Sequence, residues 1–362
     1  MIKYYRYSID YHDQIIQFLK KEWISINTEK WSDYFRWKFM NNPLIENPPV
    51  FIAVEDDKVV GFRGLFVQKY VYNNNIFLIA QSSDSRVAAS HRKRGIFRSL
   101  IDMTFEYCKE NNIKFNLTLS SNENSTPIYM KLGWYPLRTK REMIKLSINT
   151  FLKKRRINNS DKNVYEYGGY SINEYSINNI LDDKVIKELA KSAVHFENIN
   201  QIHSVRDYNY YKYKLANPVS KYLVYTFYKN EELKGHLIVK KLNTLKYILK
   251  VSPLKIIDYH LHTNEEDKML KVFLRKICLN SYLLRNSIVS VPLLTMDKKY
   301  ERLFFNRGFL KESKYSDKLT GRRSIPFLIR PININADEWY IDDISVKKYS
   351  NWQLTGIDVD NA

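Results

Sequence analysis

The residues best suited to chemistry are Arg92-Lys93-Arg94-Gly95-Ile96-Phe97. A strand-like run, Ile76 to Ala80, and a polar-to-apolar segment, Gln81 to Ala89, precede them; a helix-like run, Ile96 to Cys108, follows. A glycine in a basic turn before a helix is what a phosphate-binding loop requires. The first N–H groups of a helix have no intrahelical acceptor, and the helix dipole favours an anion there. Glycine lets the backbone approach the ligand, and the arginines add charged donors. The same residues would also suit a solvated turn, so the neighbouring elements must decide.

Those elements can be read from periodicity. Apolar residues at Ile96, Phe97, Leu100, Ile101, Met103, Phe105 and Cys108 give the loop a helix to open. Upstream, Val50 to Val54 and Val59 to Phe66 flank the turn Glu55-Asp56-Asp57-Lys58 and read as a hairpin. Downstream, Phe115 to Leu119 reads as a strand, and Ser125 to Leu132 as a short helix with Gly133 as its C-cap. The order predicts an α/β domain whose mixed, partly antiparallel sheet is flanked by helices.

The pattern occurs twice. Tyr34 to Pro43 matches Tyr210 to Pro218, each an aromatic, basic helix stopped by Asn-Pro. A second hairpin, Tyr222 to Tyr228 and Leu233 to Val239, matches the first, with Gly235 placed like Gly61. Pro43 and Gly133 are 90 residues apart, as are Pro218 and Gly308, so the copies share an offset of 175. Tandem domains of one fold follow: residues 1–150, a basic linker over 151–165 that includes Lys153 to Arg156, a second copy over 166–335, and a tail over 336–362.

A length of 362 residues accommodates two such domains, and 44% hydrophobic residues suffice for their cores. The formal charge of +19 favours phosphate-bearing partners, but the basic residues are scattered, which argues against a nucleic-acid surface. Cys108 and Cys278 sit in apolar helical runs, as thiols of a reducing compartment would. The start, Met1 to Arg6, has no signal-peptide core, and no apolar run approaches about 18 residues, so a cytoplasmic protein without a membrane span is expected. His260 and His262 share one side of a strand, but two ligands make no zinc site, and no metal is expected. No serine-hydrolase elbow, Walker loop or Cys-x-x-Cys occurs.

The series of hairpin, strand, Arg92-x-x-Gly95 loop, helix, strand, then Asn122, Tyr129 and Leu132-Gly133-Trp134 resembles the GCN5-related N-acetyltransferase superfamily. The resemblance covers most of residues 1–140, with a fainter echo over 165–330. It implies that Arg92, Lys93, Arg94, Gly95, Ile96 and Phe97 hold the pyrophosphate of acetyl-CoA. Phe97 departs from the family pattern, which has a small residue there. The resemblance further implies that the backbone of Arg86 and Val87 pairs with the pantetheine amides, which Asn122 steadies. It makes Tyr129 the acid that protonates the departing thiolate, and Asp84 the base, or a cationic-acceptor anchor, on the fourth strand. The acceptor would be a small amine. Tail aromatics and carboxylates, including Trp352, Asp358 and Asp360, are candidates for binding it, and similar tails accompany surface-polysaccharide genes, pointing to an amino sugar or sugar nucleotide. The same tail would also serve as a strand packed on the body.

The second copy differs. Asp267 and Leu270 stand where the loop arginine and glycine should be, and Phe304 stands where Tyr129 should be. That copy is expected to bind no coenzyme A and to support the first or shape its acceptor site. Two other functions remain open: an aminoacyl-tRNA-dependent transferase acting on cell-wall precursors, which also pairs two such folds, and a non-catalytic binding protein.

Overall fold

The computed structural model describes residues 1–22, 28–146, 164–176, 179–196, 199–242, 253–262, 264–280, 288–295, 297–312, 325–333 and 335–359. The expected linker lies almost wholly outside them. Two large sheets organise the chain. The first runs β1 (Lys3–Arg6), β2 (Val50–Glu55), β3 (Lys58–Tyr72), β4 (Asn75–Val87), β5 (Ile113–Thr118), β16 (Pro326–Pro331), β6 (Tyr135–Thr139). At the far end of β3, β10 (Ile202–Ser204) pairs with it and with β17 (Trp352–Gln353). The second sheet runs β15 (Leu310–Lys311), β7 (Glu142–Leu146), β14 (Ile288–Pro292), β13 (Leu254–Leu261), β12 (Glu232–Lys241), β11 (Lys221–Lys229), β9 (Tyr170–Tyr175), β8 (Val164–Tyr167). Helices α1 (His12–Glu22), α2 (Trp31–Phe35), α3 (Ile96–Glu110) and α4 (Thr126–Lys131) serve the first sheet; α5 (Asp183–Phe196), α6 (Tyr208–Leu215), α7 (Glu266–Asn280) and α8 (Lys298–Asn306) serve the second. The α/β class and the doubled architecture are as the sequence predicts.

Local chemistry explains the matched hairpins. Asp56 and Asp57 turn β2 into β3, Asn73 and Asn74 turn β3 into β4, and Asn230 and Glu231 turn β11 into β12, all at positive φ. Two left-handed residues in succession give the turn whose twist suits a hairpin, and Asp and Asn tolerate that conformation best after glycine. Helix α3 buries Ile96, Leu100, Ile101, Thr104 and Cys108 along one stripe. It lies so close to β3 that a Cβ on Gly61 would come within 2.9 Å of Ile96 Cγ2.

Strand pairing crosses the boundary drawn from sequence. β7 follows β6 in the chain yet pairs with β14 and β15 of the second sheet. In return β16, near the C-terminus, enters the first sheet between β5 and β6. Each sheet is completed by a strand from the other half. The repeat signal could not reveal this, because a strand's pattern does not name its partner.

The matched helices meet face to face. Trp37 and Tyr213 stack at 5.5 Å, and Tyr213 stacks on Phe66 at 5.8 Å. Trp37 Nε1 donates to the Tyr213 carbonyl at 2.7 Å, and Tyr213 Oη donates to the Lys38 carbonyl at 2.9 Å. The first copy has one residue more between its tyrosine and its Asn-Pro. That residue is absorbed as a π-helical turn over Arg36–Met40, with Asn41 N–H reaching the Arg36 carbonyl at 2.8 Å. A fragment ending at residue 150 lacks β16 and is expected to melt without a cooperative transition; a sharp circular-dichroism melt like that of the full chain would overturn the reciprocal-strand account.

Candidate active site

The site begins where β4 leaves β5. The strands pair in parallel from Leu78↔Ile113 to Gln81↔Leu117, and no pairing follows. On its other side β4 continues to pair with β3 as far as Val87. Between Ser83 and Arg86, β4 holds one more residue than β3 opposite, a bulge centred on Asp84, whose φ is 47°. The polar-to-apolar segment from Gln81 is therefore strand to Val87, bent at the bulge. Its side toward β5 is left without a strand partner among the described residues, so an extended ligand arm has backbone groups of Arg86 and Val87 beside it. One of these is spoken for: Arg92 Nε donates to the Val87 carbonyl at 3.3 Å.

The bulge is pinned by a buried ion pair. Lys38, fully buried by the π-helical turn, places Nζ 2.8 Å from Asp84 Oδ2. Tyr34 Oη and Ser83 Oγ donate to the same oxygen at 3.2 and 3.1 Å, and Lys38 Nζ also donates to Tyr34 Oη at 2.7 Å. The one sequence signal for Lys38 was a lysine inside an aromatic helix, which names no partner. Asp84 thus sits beside a cation rather than in an apolar pocket.

The loop has the backbone of an anion site. Lys93 and Gly95 both take positive φ, 65° and 79°, and Gly95 caps α3. Among the described residues, no backbone carbonyl accepts from the N–H groups of Lys93 to Phe97, whereas Arg98 and Ser99 N–H turn inward to the Gly95 carbonyl. A Cβ on Gly95 would meet nothing within 4 Å, so the loop faces open space. Arg94 does not reach into that space. Its guanidinium grips Glu55, at the end of β2, through Nη2 at 2.6 Å and Nη1 at 3.0 Å, and His91 Nε2 lies 2.9 Å from the same carboxylate. Arg94 therefore fastens the loop to the hairpin. Arg92 and Lys93 are exposed.

At the other end of the open strand stands Tyr129, buried in α4. Its hydroxyl accepts a hydrogen bond of 2.9 Å from Nη1 of Arg63, a β3 residue with no exposed surface. Phe97 packs edge-on against Tyr129, centroids 5.8 Å apart, and lies 5.7 Å from the Arg63 guanidinium. The bulk at position 97 therefore turns inward, away from the phosphate loop, and shields the tyrosine. Asn122 is used otherwise than expected: its side-chain oxygen accepts from the N–H groups of Asn124 and Ser125 at 3.0 Å, tying the turn into α4.

Residues 3–137 match the family model described as an Acetyltransferase (GNAT) domain. The chain carries a GNAT-family acetyltransferase domain. Solved structures agree at the level of fold. A GCN5-related N-acetyltransferase from Anabaena variabilis is 12% identical, with a TM-score of 0.61 over 92% of this chain and 74% of that one. A probable N-acyltransferase from Enterococcus faecalis is 10% identical, with a TM-score of 0.62 over 92% and 73%. A tandem GNAT protein from the clavulanic acid biosynthesis pathway is 11% identical, with a TM-score of 0.52 over 92% and 100%. No curated protein sequence matches the chain.

The second copy of the GNAT fold has its corresponding cleft bridged. Glu266 at the start of α7 pairs with Lys299 of α8 at 2.5 Å, and Asp267 pairs with Arg307. Phe304, at the place of Tyr129, is buried against Phe309 and Tyr259. Acidic groups and two ion pairs thus stand at the helix start where the first copy has open N–H groups.

The tail does not present an acceptor surface. Trp352 is fully buried with Tyr70, Phe115 and Phe327, and its Nε1 donates to the Val346 carbonyl at 2.9 Å. Asp358 is equally buried and accepts from Ser204, Arg206, Tyr210 and the Thr355 N–H. Both are corrected from substrate contacts to core residues: a side chain closed to solvent cannot meet a diffusing sugar. Asp360 lies outside the described residues. His260 is paired across the sheet with His236, and with Asp258 these form a buried group whose ligand atoms lie within 4.8 Å. A guanidinium already fills its centre, since Arg206 Nη1 is 2.6 Å from His260 Nε2 and 3.5 Å from Asp258.

Glu55 offers a pH test of the loop's anchorage. Its hydrogen bonds from Arg94, then His91, hold its carboxyl down at about 2, against an ordinary value of 4.5. A depressed folded-state value contributes stability above the unfolded value, and that contribution is lost as pH falls from about 4.5 toward 2. Melting temperature followed across that window is expected to fall less steeply for Glu55→Gln than for the wild type; parallel curves would remove Glu55 as the loop's anchor.

Proposed function

We propose that this chain transfers an acetyl group from acetyl-CoA to an amine on a small acceptor, using the first domain alone. One observation carries the reading: an unpaired strand side on β4 lies between a loop of open N–H groups and a buried tyrosine. When bound, the thioester supplies the activated acetyl group. The loop from Lys93 to Phe97 holds the pyrophosphate by backbone donation, with Arg92 and Lys93 adding charge. The side of β4 at Arg86 and Val87 aligns the pantetheine arm, so the acetyl carbon reaches the bulge without a covalent enzyme intermediate.

At the bulge the amine attacks from the Asp84 side. Among the described residues Asp84 Oδ1 has no hydrogen-bond partner, whereas Oδ2 holds Lys38, Tyr34 and Ser83. Oδ1 is therefore the oxygen that takes the amine proton. Tyr129 donates its proton to the departing sulfur. Asn122 shapes the turn beside the arm. A screen for the acceptor should include amino sugars and their nucleotides, polyamines and peptides; burial of the tail removes the feature that favoured sugars. The buried thiol of Cys108 accords with a reducing, cytoplasmic setting. The intact loop favours this reading over transfer from aminoacyl-tRNA.

Calorimetry with acetyl-CoA tests the cofactor site. Wild type and Gly95→Asn are expected to bind, since Asn tolerates the left-handed conformation, and Gly95→Glu to lose at least about tenfold in affinity by placing a carboxylate at the phosphate. Failure of the wild type to bind would sink the proposal, and full binding by Gly95→Glu would sink the loop assignment. In a thiol-release assay on any acceptor found by the screen, Tyr129→Phe is expected to lower kcat by about 10²-fold or more. Full turnover would show that another group is the acid.

A further inference from the structure

The most unusual side chain near the site is Arg63. Its guanidinium has no exposed surface, and among the described residues no carboxylate forms an ion pair with it. Among the described residues its three hydrogen bonds all go to neutral oxygens: Tyr129 Oη at 2.9 Å, Ser85 Oγ at 3.0 Å and Ser82 Oγ at 2.7 Å. Its Nε is buried without a partner. Ser82 Oγ in turn donates to Asn116 Oδ1 at 2.8 Å, so the orientation of that hydroxyl is fixed. The other buried cation nearby, Lys38, has Asp84 to balance it.

A buried charge is costly unless an opposite charge or a full set of hydrogen bonds compensates it. Arg63 has incomplete hydrogen bonding and no counter-charge. Such a group is retained at a cost in stability where an anion appears during function. In the proposed reaction one anion forms at the Tyr129 end of the open strand. The carbon–sulfur bond breaks with its electron pair on sulfur, Tyr129 Oη gives its proton to that sulfur, and the negative charge passes to the phenolic oxygen until solvent restores the proton.

We infer that Arg63 is a positioning residue that makes the β4–β5 opening an anion site for the leaving thiolate, acting through Tyr129 and resting on the acetyl-CoA reading above. The guanidinium donates to the phenolic oxygen, so it leaves that hydroxyl's single hydrogen free to point at sulfur. It also sets a fixed positive charge where negative charge develops, in a site shielded from water by Phe97, where such a charge acts most strongly. Ser82 and Ser85, either side of the bulge, hold the fork in place.

The test needs no acceptor. Affinities of the full chain for coenzyme A and for desulfo-coenzyme A are measured by calorimetry from about pH 7 to about pH 9.5, the range in which a thiol with an ordinary value near 8.5 ionises. In the wild type, coenzyme A is expected to gain about tenfold over desulfo-coenzyme A across that range, as the thiolate forms at the site. Arg63→Met is expected to bind desulfo-coenzyme A as the wild type does and to show a gain under about twofold. A wild type that binds both ligands with no pH-dependent gap overturns this inference alone; a wild type that binds neither overturns the acetyl-CoA reading with it. A full gap in Arg63→Met also overturns it. If Arg63→Met does not fold, Arg63→Lys carries the comparison: it keeps a charge but not the fork to Tyr129. Its gap is expected to shrink below about threefold, and a wild-type gap in that variant overturns the inference.

Discussion

The buried pair between Lys38 and Asp84 is the constraint on which the site depends. Asp84 occupies a left-handed conformation that costs a non-glycine residue about 1–2 kcal/mol, and the bulge it forms lies just beyond Gln81↔Leu117, the last pair of β4 with β5. Nothing in the strand itself would maintain that bend. The ammonium at 2.8 Å does, and removing either partner would leave an uncompensated buried charge, an effect of about 3–5 kcal/mol. The π-helical turn that delivers Lys38 is the one place where the first copy's helix is longer than the second's. Lys38 and its counterpart Lys214 are both buried, and in the first copy the lysine meets Asp84 at the bulge.

The two copies use the same elements to opposite ends. In the first, the gap between the α3 loop and α4 is spanned by an aromatic contact, Phe97 on Tyr129, leaving the loop's N–H groups open. In the second, charged side chains bridge the start of α7 to α8. Acidic residues suit a helix start electrostatically, and their charge opposes a second anion there. The second copy instead contributes support: α6 stacks on the π-helical turn, and Arg206, between Asp258 and Asp358, ties β13 to the tail. The exchange of β7 and β16 makes each copy's sheet dependent on the other.

Much of the site was legible in the sequence because its signals are local. A glycine needed at positive φ, a helix stripe, a two-residue turn and the spacing from Asn122 to Tyr129 are all fixed within a few residues by backbone sterics. The repeat was legible for the same reason, since matched helices stop at matched Asn-Pro pairs, where Asn42 and Asn217 accept from the N–H groups of Leu44 and Val219. Trp352 and Asp358 misled because residue type does not report burial: an aromatic and a carboxylate suit a binding surface, and equally suit a hydrophobic cluster and a capping box.

The sequence alone determined the α/β class, the doubling of the fold, the glycine turn that opens α3 and the lack of a glycine at the matching place in the second copy. Each follows from neighbours along the chain, where periodicity and turn chemistry decide. Tertiary structure alone decided that Lys38 meets Asp84, that Arg63 meets Tyr129, that Arg94 is spent on Glu55, and that β7 and β16 change places. These are contacts between residues 39 to 216 positions apart in the chain, set by which faces and charges must be satisfied once the sheets close. No local pattern specifies them, because a buried cation's partner is chosen by the space around it and not by the residues beside it.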